Sequence, residues 1–140
     1  MFLACNEEVT KTNEFEQVGF DNDIELLYEA SDEWCEATNG RHCATFEGGE
    51  NTIELLSISR YLEIVDNDYS VGVVITCLGH VESRILIKDR IDERTNMKKT
   101  IMHELGHHFG CDHVSDEGDI MSIWESEVEH LTARDIECVN

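Results

Sequence analysis

The chain has 140 residues, of which 41% are hydrophobic, and its 31 acidic residues against 10 basic residues give a formal net charge of −21. The length corresponds to one domain, and the apolar fraction is large enough for a core, which argues against a disordered chain. The negative charge disfavours binding to nucleic acid, and no apolar run approaches the length of a transmembrane helix. Such acidity is typical of a secreted or salt-adapted protein; a role in selecting basic substrates and calcium sites that no motif marks are the alternatives.

The pattern of apolar and turn-forming residues predicts alternating strands and helices. A first strand is expected at residues 15–20, and apolar residues at helical spacing predict a helix from Ile24 to Ala37 that Asn39-Gly40 ends. Four strands should follow at residues 42–46, 53–62, 71–78 and 83–88. Further helices are predicted at residues 95–109 and from Thr132 onward. This order predicts an α+β fold with a mixed, twisted β-sheet.

Six cysteines form an even set without the CxxC spacing of zinc ribbons or thioredoxin-like proteins. The number suits one to three disulfides in an oxidising compartment, and buried free thiols are the alternative. Many pairings are open; Cys35 with Cys43 is favoured because a helix, a short loop and a strand would bring them together. The opening residues 1–5 resemble the end of a bacterial lipoprotein signal, so Cys5 is either a lipid-anchored N-terminus or an ordinary cysteine.

Residues 103–113 read HELGHHFGCDH, and this segment carries the chemistry. The spacing of His103 and His107 places both imidazoles on one face of a helix. Gly110 can adopt a positive φ and end that helix, so that the chain turns and presents His113 as a third nitrogen ligand. Three histidines leave one position of a zinc ion open, which distinguishes catalytic from structural zinc. We therefore predict one catalytic Zn²⁺; Ca²⁺ would need sites that no motif indicates.

Glu104 directly follows the first histidine, and in an HExxH pattern its carboxylate reaches the zinc-activated water rather than the zinc. As the general base it would take a proton from this water and pass it to the leaving amine. The neighbouring His108 points about 100° away around the helix and is expected to pack or to face solvent. His42, His80 and His130 lack ligand spacing, and structural roles are predicted for them.

Together with Met121 in the segment DIMS, the motif resembles the metzincin metallopeptidases, and most of all their matrixin-like branch. The long consensus HExxHxxGxxH and the methionine turn are matched at every fixed position. The resemblance implies that Met121 lies in a tight turn beneath the zinc. It also implies a catalytic helix, a C-terminal helix, and a substrate that pairs with an edge strand within residues 71–88.

Several residues around the motif depart from the matrixin pattern or allow two interpretations. Val114 stands where matrixins usually have Ser or Thr, and the segment after Met121 lacks their Pro-x-Tyr. Ile123 and Trp124 either line the specificity pocket or pack under the methionine turn. Asp112 either hydrogen-bonds a ligand histidine or is a solvated carboxylate. For Cys111, a disulfide or a buried thiol is favoured over competition for zinc.

The sequence thus predicts a single catalytic domain at residues 1–140, with residues 1–14 as a flexible N-terminal segment. It would be a monomeric, extracytoplasmic zinc endopeptidase acting on peptides or proteins in an extended conformation. A chain-end-specific zinc peptidase is one alternative, although no residue that would hold a free terminus is identifiable. A metal-binding interaction or inhibitory module without turnover is the other, and the intact Glu104 argues against it.

Overall fold

The structure is a computed structural model that describes residues 12–65, 71–76, 82–89, 94–124 and 127–140. Its elements, in chain order, are β1 (Phe15–Val18), α1 (Ile24–Ala37), β2 (Asn51–Leu56), α2 (Ile58–Ile64), β3 (Gly72–Thr76), β4 (Ser83–Lys88), α3 (Arg94–His108) and α4 (Ala133–Val139). The predicted α+β class is confirmed. None of the described helices is long and apolar enough to cross a membrane.

The chain divides into two compact units, and each is described by itself. The sheet unit comprises Met1–Ile24 and Thr45–Ile91, and the helical unit comprises Glu25–Ala44 and Asp92–Asn140. The sheet unit contains all the described strands, whereas α3 and α4 belong to the helical unit. The sequence predicts one domain, and that remains a prediction.

The sheet has the strand order β1-β2-β4-β3 and is mixed, as predicted. β1, β2 and β4 run parallel, and β3 pairs antiparallel with β4 at one edge. The side chains of Ile53, Ile85 and Ile87 are fully buried. The buried Asn51 amide donates to the carbonyl oxygens of Thr12 and Glu14. Its side-chain oxygen accepts from the Ser83 backbone N–H, so one polar side chain connects three segments of the unit.

Two of the predicted strands are wrong. In residues 53–62 the strand stops at Leu56, because the Ser57 side chain accepts from the Arg60 N–H and caps α2. Residues 42–46 form no strand; Thr45 makes one isolated bridge with Glu14. Both errors involve a serine that bonds to backbone groups: Ser57 caps α2, and at Ala44 the Ser31 hydroxyl bonds to both the N–H and the carbonyl from 13 positions away.

In the helical unit, α1 follows the prediction closely. Asn39 and Gly40 have positive φ angles of 54° and 82°, and the Gly40 N–H donates to the Cys35 carbonyl, which ends the helix. The predicted Cys35–Cys43 disulfide is present, and a second disulfide joins Cys111 to Cys138. Cys5, Cys77, His80 and residues 1–11 of the predicted flexible segment lie outside the described residues.

Candidate active site

The site is built on α3, whose apolar face anchors it in the helical unit. Ile101, Leu105 and Phe109 are buried, as their spacing predicts. The Trp34 indole N–H donates to the Met102 carbonyl at 2.9 Å, one residue before the first predicted ligand. Gly110 has a φ of 108° and stops the helix, as predicted. The buried apolar face and the bond from Trp34 therefore hold α3 in place, and the chain turns away from the helix after Gly110.

The structure brings the three predicted metal ligands together. The ring centroids of His103, His107 and His113 are separated by 4.7, 4.9 and 5.3 Å. Each ring offers one nitrogen, and these nitrogens lie within 4.8 Å of one another. Among the residues that the structure describes, this is the one such group of histidine, cysteine or acidic side chains.

Backbone carbonyls fix the orientation of the two helical histidines. The Nδ1 of His103 lies 2.6 Å from the Ile120 oxygen, and the Nδ1 of His107 lies 2.8 Å from the Cys111 oxygen. Because a carbonyl only accepts, both Nδ1 atoms must carry a proton, which leaves lone pairs on both Nε2 atoms. These two Nε2 atoms are 3.1 Å apart. Two lone pairs at that distance repel each other unless a cation lies between them.

The donor set fits zinc. Nitrogen ligands of a tetrahedral zinc ion lie about 3.4 Å apart, close to the separation of the two Nε2 atoms. Burial lowers the pKa of His103 to about 4 and also lowers the pKa of His107. Both imidazoles are therefore neutral at physiological pH, which is the form that binds metal.

Glu104 lies beside this histidine cluster and is 4% exposed. Its Oε1 is 3.9 Å from the His103 Nε2, while its Oε2 is buried without a hydrogen-bond partner. Burial raises the pKa of this carboxyl to about 8. A buried carboxylate without a partner is unfavourable, and a nearby cation or a water in its reach would offset that cost. The position suits an acid–base group that handles protons next to the three nitrogens.

Met121 is fully buried in a turn that packs against α3. A Cβ built on Gly106 would lie 2.3 Å from the Met121 sulfur and 2.8 Å from the Trp34 ring. The absence of a Cβ at position 106 thus allows the thioether to lie this close to the helix. The methionine predicted to support the site is in direct contact with the helix that carries it.

Asp135 on α4 is a site residue that the sequence prediction missed. Its carboxylate is fully buried and accepts from the backbone N–H groups of Ile120, Met121 and Thr132 at 2.9–3.0 Å. The Ile120 carbonyl in turn accepts from His103. The available signal was the Thr132-x-x-Asp135 spacing, a capping box at the start of α4. This pattern indicates the helix cap but not the contact with the turn.

Asp119 is the second missed residue. The hydroxyls of Ser115 and Thr132 donate to its two carboxylate oxygens and lower its pKa. Its backbone N–H donates to the Ser122 hydroxyl. Four short polar side chains thereby hold the loop between the third predicted ligand and Met121, where the chain has no helix.

The remaining histidines have structural surroundings, as predicted for those the structure describes. His108 is buried with its ring 5.6 Å from that of Phe109. The Nε2 of His42 lies 2.8 Å from the Val139 carbonyl oxygen. His130 is exposed, and its Nδ1 lies 3.1 Å from the Glu33 carboxylate.

The structure also bears on the residues with two interpretations, although for Ile123 and Trp124 the lining of a specificity pocket stays a prediction. Asp112 is a solvated carboxylate: its side chain is 98% exposed and accepts from the His113 backbone N–H. Cys111 is in a disulfide. Ile123 and Trp124 are 51% and 67% exposed, so packing under the methionine turn is wrong. The backbone N–H groups of Ile123 and Trp124 donate to the backbone carbonyls of Ser115 and Asp116.

Comparison with known proteins gives one result at the level of the family. A family model described as Matrixin, within the M10 peptidases, matches residues 7–140. A search of curated proteins finds no significant match. Membership of such a family implies zinc as the cofactor, hydrolysis as the reaction and a peptide or protein as the substrate. Because the match covers nearly the whole chain, the protein belongs to the matrixin family of zinc metallopeptidases.

Proposed function

We propose that the chain is a zinc endopeptidase in which His103, His107 and His113 hold one catalytic zinc ion and Glu104 is the general base. One observation carries the proposal: three imidazoles converge next to a buried carboxylate oxygen that has no hydrogen-bond partner. Two of these imidazoles have their Nδ1 atoms bonded to carbonyls, which leaves Nε2 available. A structural site would be closed by a fourth protein ligand, and the described residues supply none.

The chemistry follows from the position of the carboxylate. When bound, zinc supplies a Lewis acid that acidifies a water and polarises the substrate carbonyl. The Glu104 carboxylate accepts a proton from the attacking water and then donates it to the nitrogen of the leaving amine. The Ile120 and Cys111 carbonyls hold the rings of His103 and His107 in one orientation, so the ligands need no rearrangement.

The proposal also covers the conformation of the substrate, the role of Met121, the location of the protein and its oligomeric state. The substrate is an extended segment of a peptide or protein, as the resemblance to the family implies. Met121 forms the hydrophobic floor of the site. Two described disulfides support an extracytoplasmic location. We further propose a monomer with one catalytic domain.

The test is cleavage of a quenched fluorescent peptide library whose members are blocked at both ends. We expect cleavage that a chelator abolishes and that zinc restores. Glu104→Ala should retain stoichiometric zinc and lose activity by several orders of magnitude, because a general base contributes about 10²–10⁴-fold and the vacated site is also disturbed. Glu104→Gln is the matched variant, since it keeps the shape and removes the charge.

Each alternative predicts a different result in the same assay. Cleavage that requires a free terminus would identify a chain-end-specific peptidase. Tight zinc binding without cleavage of any peptide would favour an interaction or inhibitory module. If Glu104→Ala cleaved as fast as the wild type, the assignment of the base would be wrong.

Zinc should also stabilise the fold, because an ion that binds only the native state shifts the unfolding equilibrium. We expect a chelator to lower the melting temperature and added zinc to restore it. A melting temperature that does not respond to the chelator would argue against a tight site.

A further inference from the structure

Helix α4 is attached to the chain around the metal ligands at two points. Asp135 and Cys138 are three positions apart on this helix and therefore lie on one face. Cys138 forms a disulfide with Cys111, and Asp135 accepts from the Ile120 N–H. The carbonyls of these same two partners, Cys111 and Ile120, receive the Nδ1–H groups of the two helical histidines. One short helix thus holds both carbonyls that orient the predicted ligands.

Cys111 is buried, and its described attachments are one backbone bond, the bond from His107 and the disulfide. Residues 109–124 contain no helix or strand, apart from one isolated bridge between Ser115 and Ser122. The Cys111 N–H donates to the Gly106 carbonyl, at the end of α3. The disulfide joins Cys111 covalently to Cys138 on α4. His113 follows two residues later, so the disulfide lies between the end of the helix and the third predicted ligand.

We propose that the Cys111–Cys138 disulfide is a redox-sensitive positioning element of the metal centre, so that the protein holds zinc tightly only while this bond is closed. The inference rests on the proposed function. With the bond closed, the Cys111 carbonyl keeps the His107 ring in place, and residues 110–113 carry His113 to the site. With the bond reduced, both constraints weaken together.

The reduction is a thiol–disulfide exchange with an external dithiol. A thiolate attacks the sulfur of Cys138, which is partly exposed, whereas Cys111 is 3% exposed. The Cys111–Cys138 bond breaks and a mixed disulfide forms. The second thiol of the reagent then displaces Cys138, so the dithiol is oxidised to a cyclic disulfide and both cysteines become protonated thiols. In a reducing compartment the enzyme would consequently lose its metal.

The Cys35–Cys43 disulfide offers a matched control within the same unit. It closes a sequence separation of 8 residues at the end of α1, compared with 27 residues for Cys111–Cys138. In the described contacts, none of residues 35–43 bonds to His103, His107 or His113. Its removal tests the general effect of losing a disulfide without releasing a carbonyl that orients a ligand.

The experiment compares the double variants Cys111→Ser/Cys138→Ser and Cys35→Ser/Cys43→Ser with the wild type. Zinc affinity is measured by competition with a chromophoric chelator, and the cobalt-substituted proteins are compared by visible absorption. We expect the first variant to bind zinc about 10–100-fold more weakly, with an altered cobalt spectrum. The second should stay within about twofold of the wild type. Equal affinity in all three proteins would overturn the inference.

A second measurement applies if the first variant does not fold. Zinc-loaded wild type is titrated with a trialkylphosphine, which reduces the disulfide with water to two thiols and becomes the phosphine oxide. Alkylation and mass spectrometry follow Cys138, circular dichroism follows the fold, and a metal indicator follows zinc. Zinc release that parallels Cys138 alkylation in folded protein supports the proposal; zinc retained by folded protein with Cys138 alkylated refutes it. If unmodified wild type binds no zinc, the proposed function fails instead.

Discussion

The sheet unit and the helical unit satisfy their buried backbone groups in different ways. In the sheet unit, β2 and β4 pair over five consecutive positions, and the ladder itself supplies partners for their backbone groups. In the helical unit, residues 110–132 have no helix or strand among those described, and the side chains of Ser122 and Asp135 accept from backbone N–H groups instead. A ladder tolerates the replacement of individual side chains, whereas a loop held by particular carboxylates does not.

This difference predicts where function is sensitive. Substitutions in either unit should alter stability, but only those in the helical unit should also change metal binding in the protein that remains folded. Each of the following predictions therefore compares a change near the site with one in the sheet, or isolates a single group at the site.

The largest effect is expected for Asp135→Ala compared with Asn51→Ala. Both side chains are fully buried, and each bonds to backbone groups of separate segments. Asp135→Ala leaves three backbone donors without their acceptor and should lower the free energy of unfolding by about 3–5 kcal/mol. Asn51→Ala should cost about 2–4 kcal/mol for the same reason. Urea unfolding measures both values.

Zinc affinity separates these two variants. Folded Asp135→Ala should bind zinc about 10–100-fold more weakly, because the Ile120 carbonyl no longer holds His103. Folded Asn51→Ala should bind zinc as the wild type does. Equal zinc affinities in the two variants would contradict the expectation that only substitutions in the helical unit change metal binding.

The next effect concerns pH in the metal-free protein. Burial raises the pKa of Glu104 to about 8 from an ordinary value of 4.5, so the folded protein keeps a proton that the unfolded chain loses. The contribution of this group to stability is therefore complete below pH 4.5 and is lost as the pH rises through 8. The stability of Glu104→Gln relative to the wild type should rise by a few kcal/mol across this window. Denaturation of both proteins in the presence of a chelator at several pH values tests this prediction. A stability difference that does not change with pH would contradict it.

A smaller effect is expected for two glycine substitutions. A Cβ at Gly106 would meet the Met121 sulfur, and one at Gly49 would meet the backbone oxygen of Glu14, each at 2.3 Å. Gly106→Ala and Gly49→Ala should each lower the free energy of unfolding by about 1–3 kcal/mol. Only Gly106→Ala should reduce peptide cleavage by the folded protein, because Met121 must shift beneath the helix. Wild-type activity in folded Gly106→Ala would show that the close packing is unimportant.

The smallest effect is expected for surface ion pairs. The side chains of Arg60 and Glu63 on α2 are 59% and 65% exposed, whereas those of Lys98 and Glu33 in the helical unit are 24% and 21% exposed. Arg60→Gln should change the free energy of unfolding by less than about 0.5 kcal/mol. Lys98→Gln should cost about 1 kcal/mol, because the partly buried Glu33 carboxylate loses a partner. Thermal melts at low and high salt measure the stability of both variants. An equal loss of stability in Arg60→Gln and Lys98→Gln would contradict the prediction.

Most of the regular structure followed from local patterns, and the exceptions share one cause. The strand at Ser83–Lys88 and the helices ending at Ala37 and His108 agree with the apolar periodicity and the turn residues. The strands expected at residues 42–46 and 53–62 were wrong where serines bond to the backbone. Hydrophobic periodicity does not encode such bonds, and the donor at residue 31 lies 13 positions from its partner.

The sequence by itself determined the predicted ligand set, since the spacing of His103 and His107 on a helix and the turn at Gly110 before His113 are properties of neighbouring residues. Only the tertiary structure decided the surroundings of that set. These are the burial of Glu104 beside the histidines, the contact of Asp135 with Ile120, and the bond between Cys111 and Cys138. These contacts join residues 15 to 27 positions apart. Local propensity acts over about one helical turn, so contacts at such separations appear only when the chain is folded.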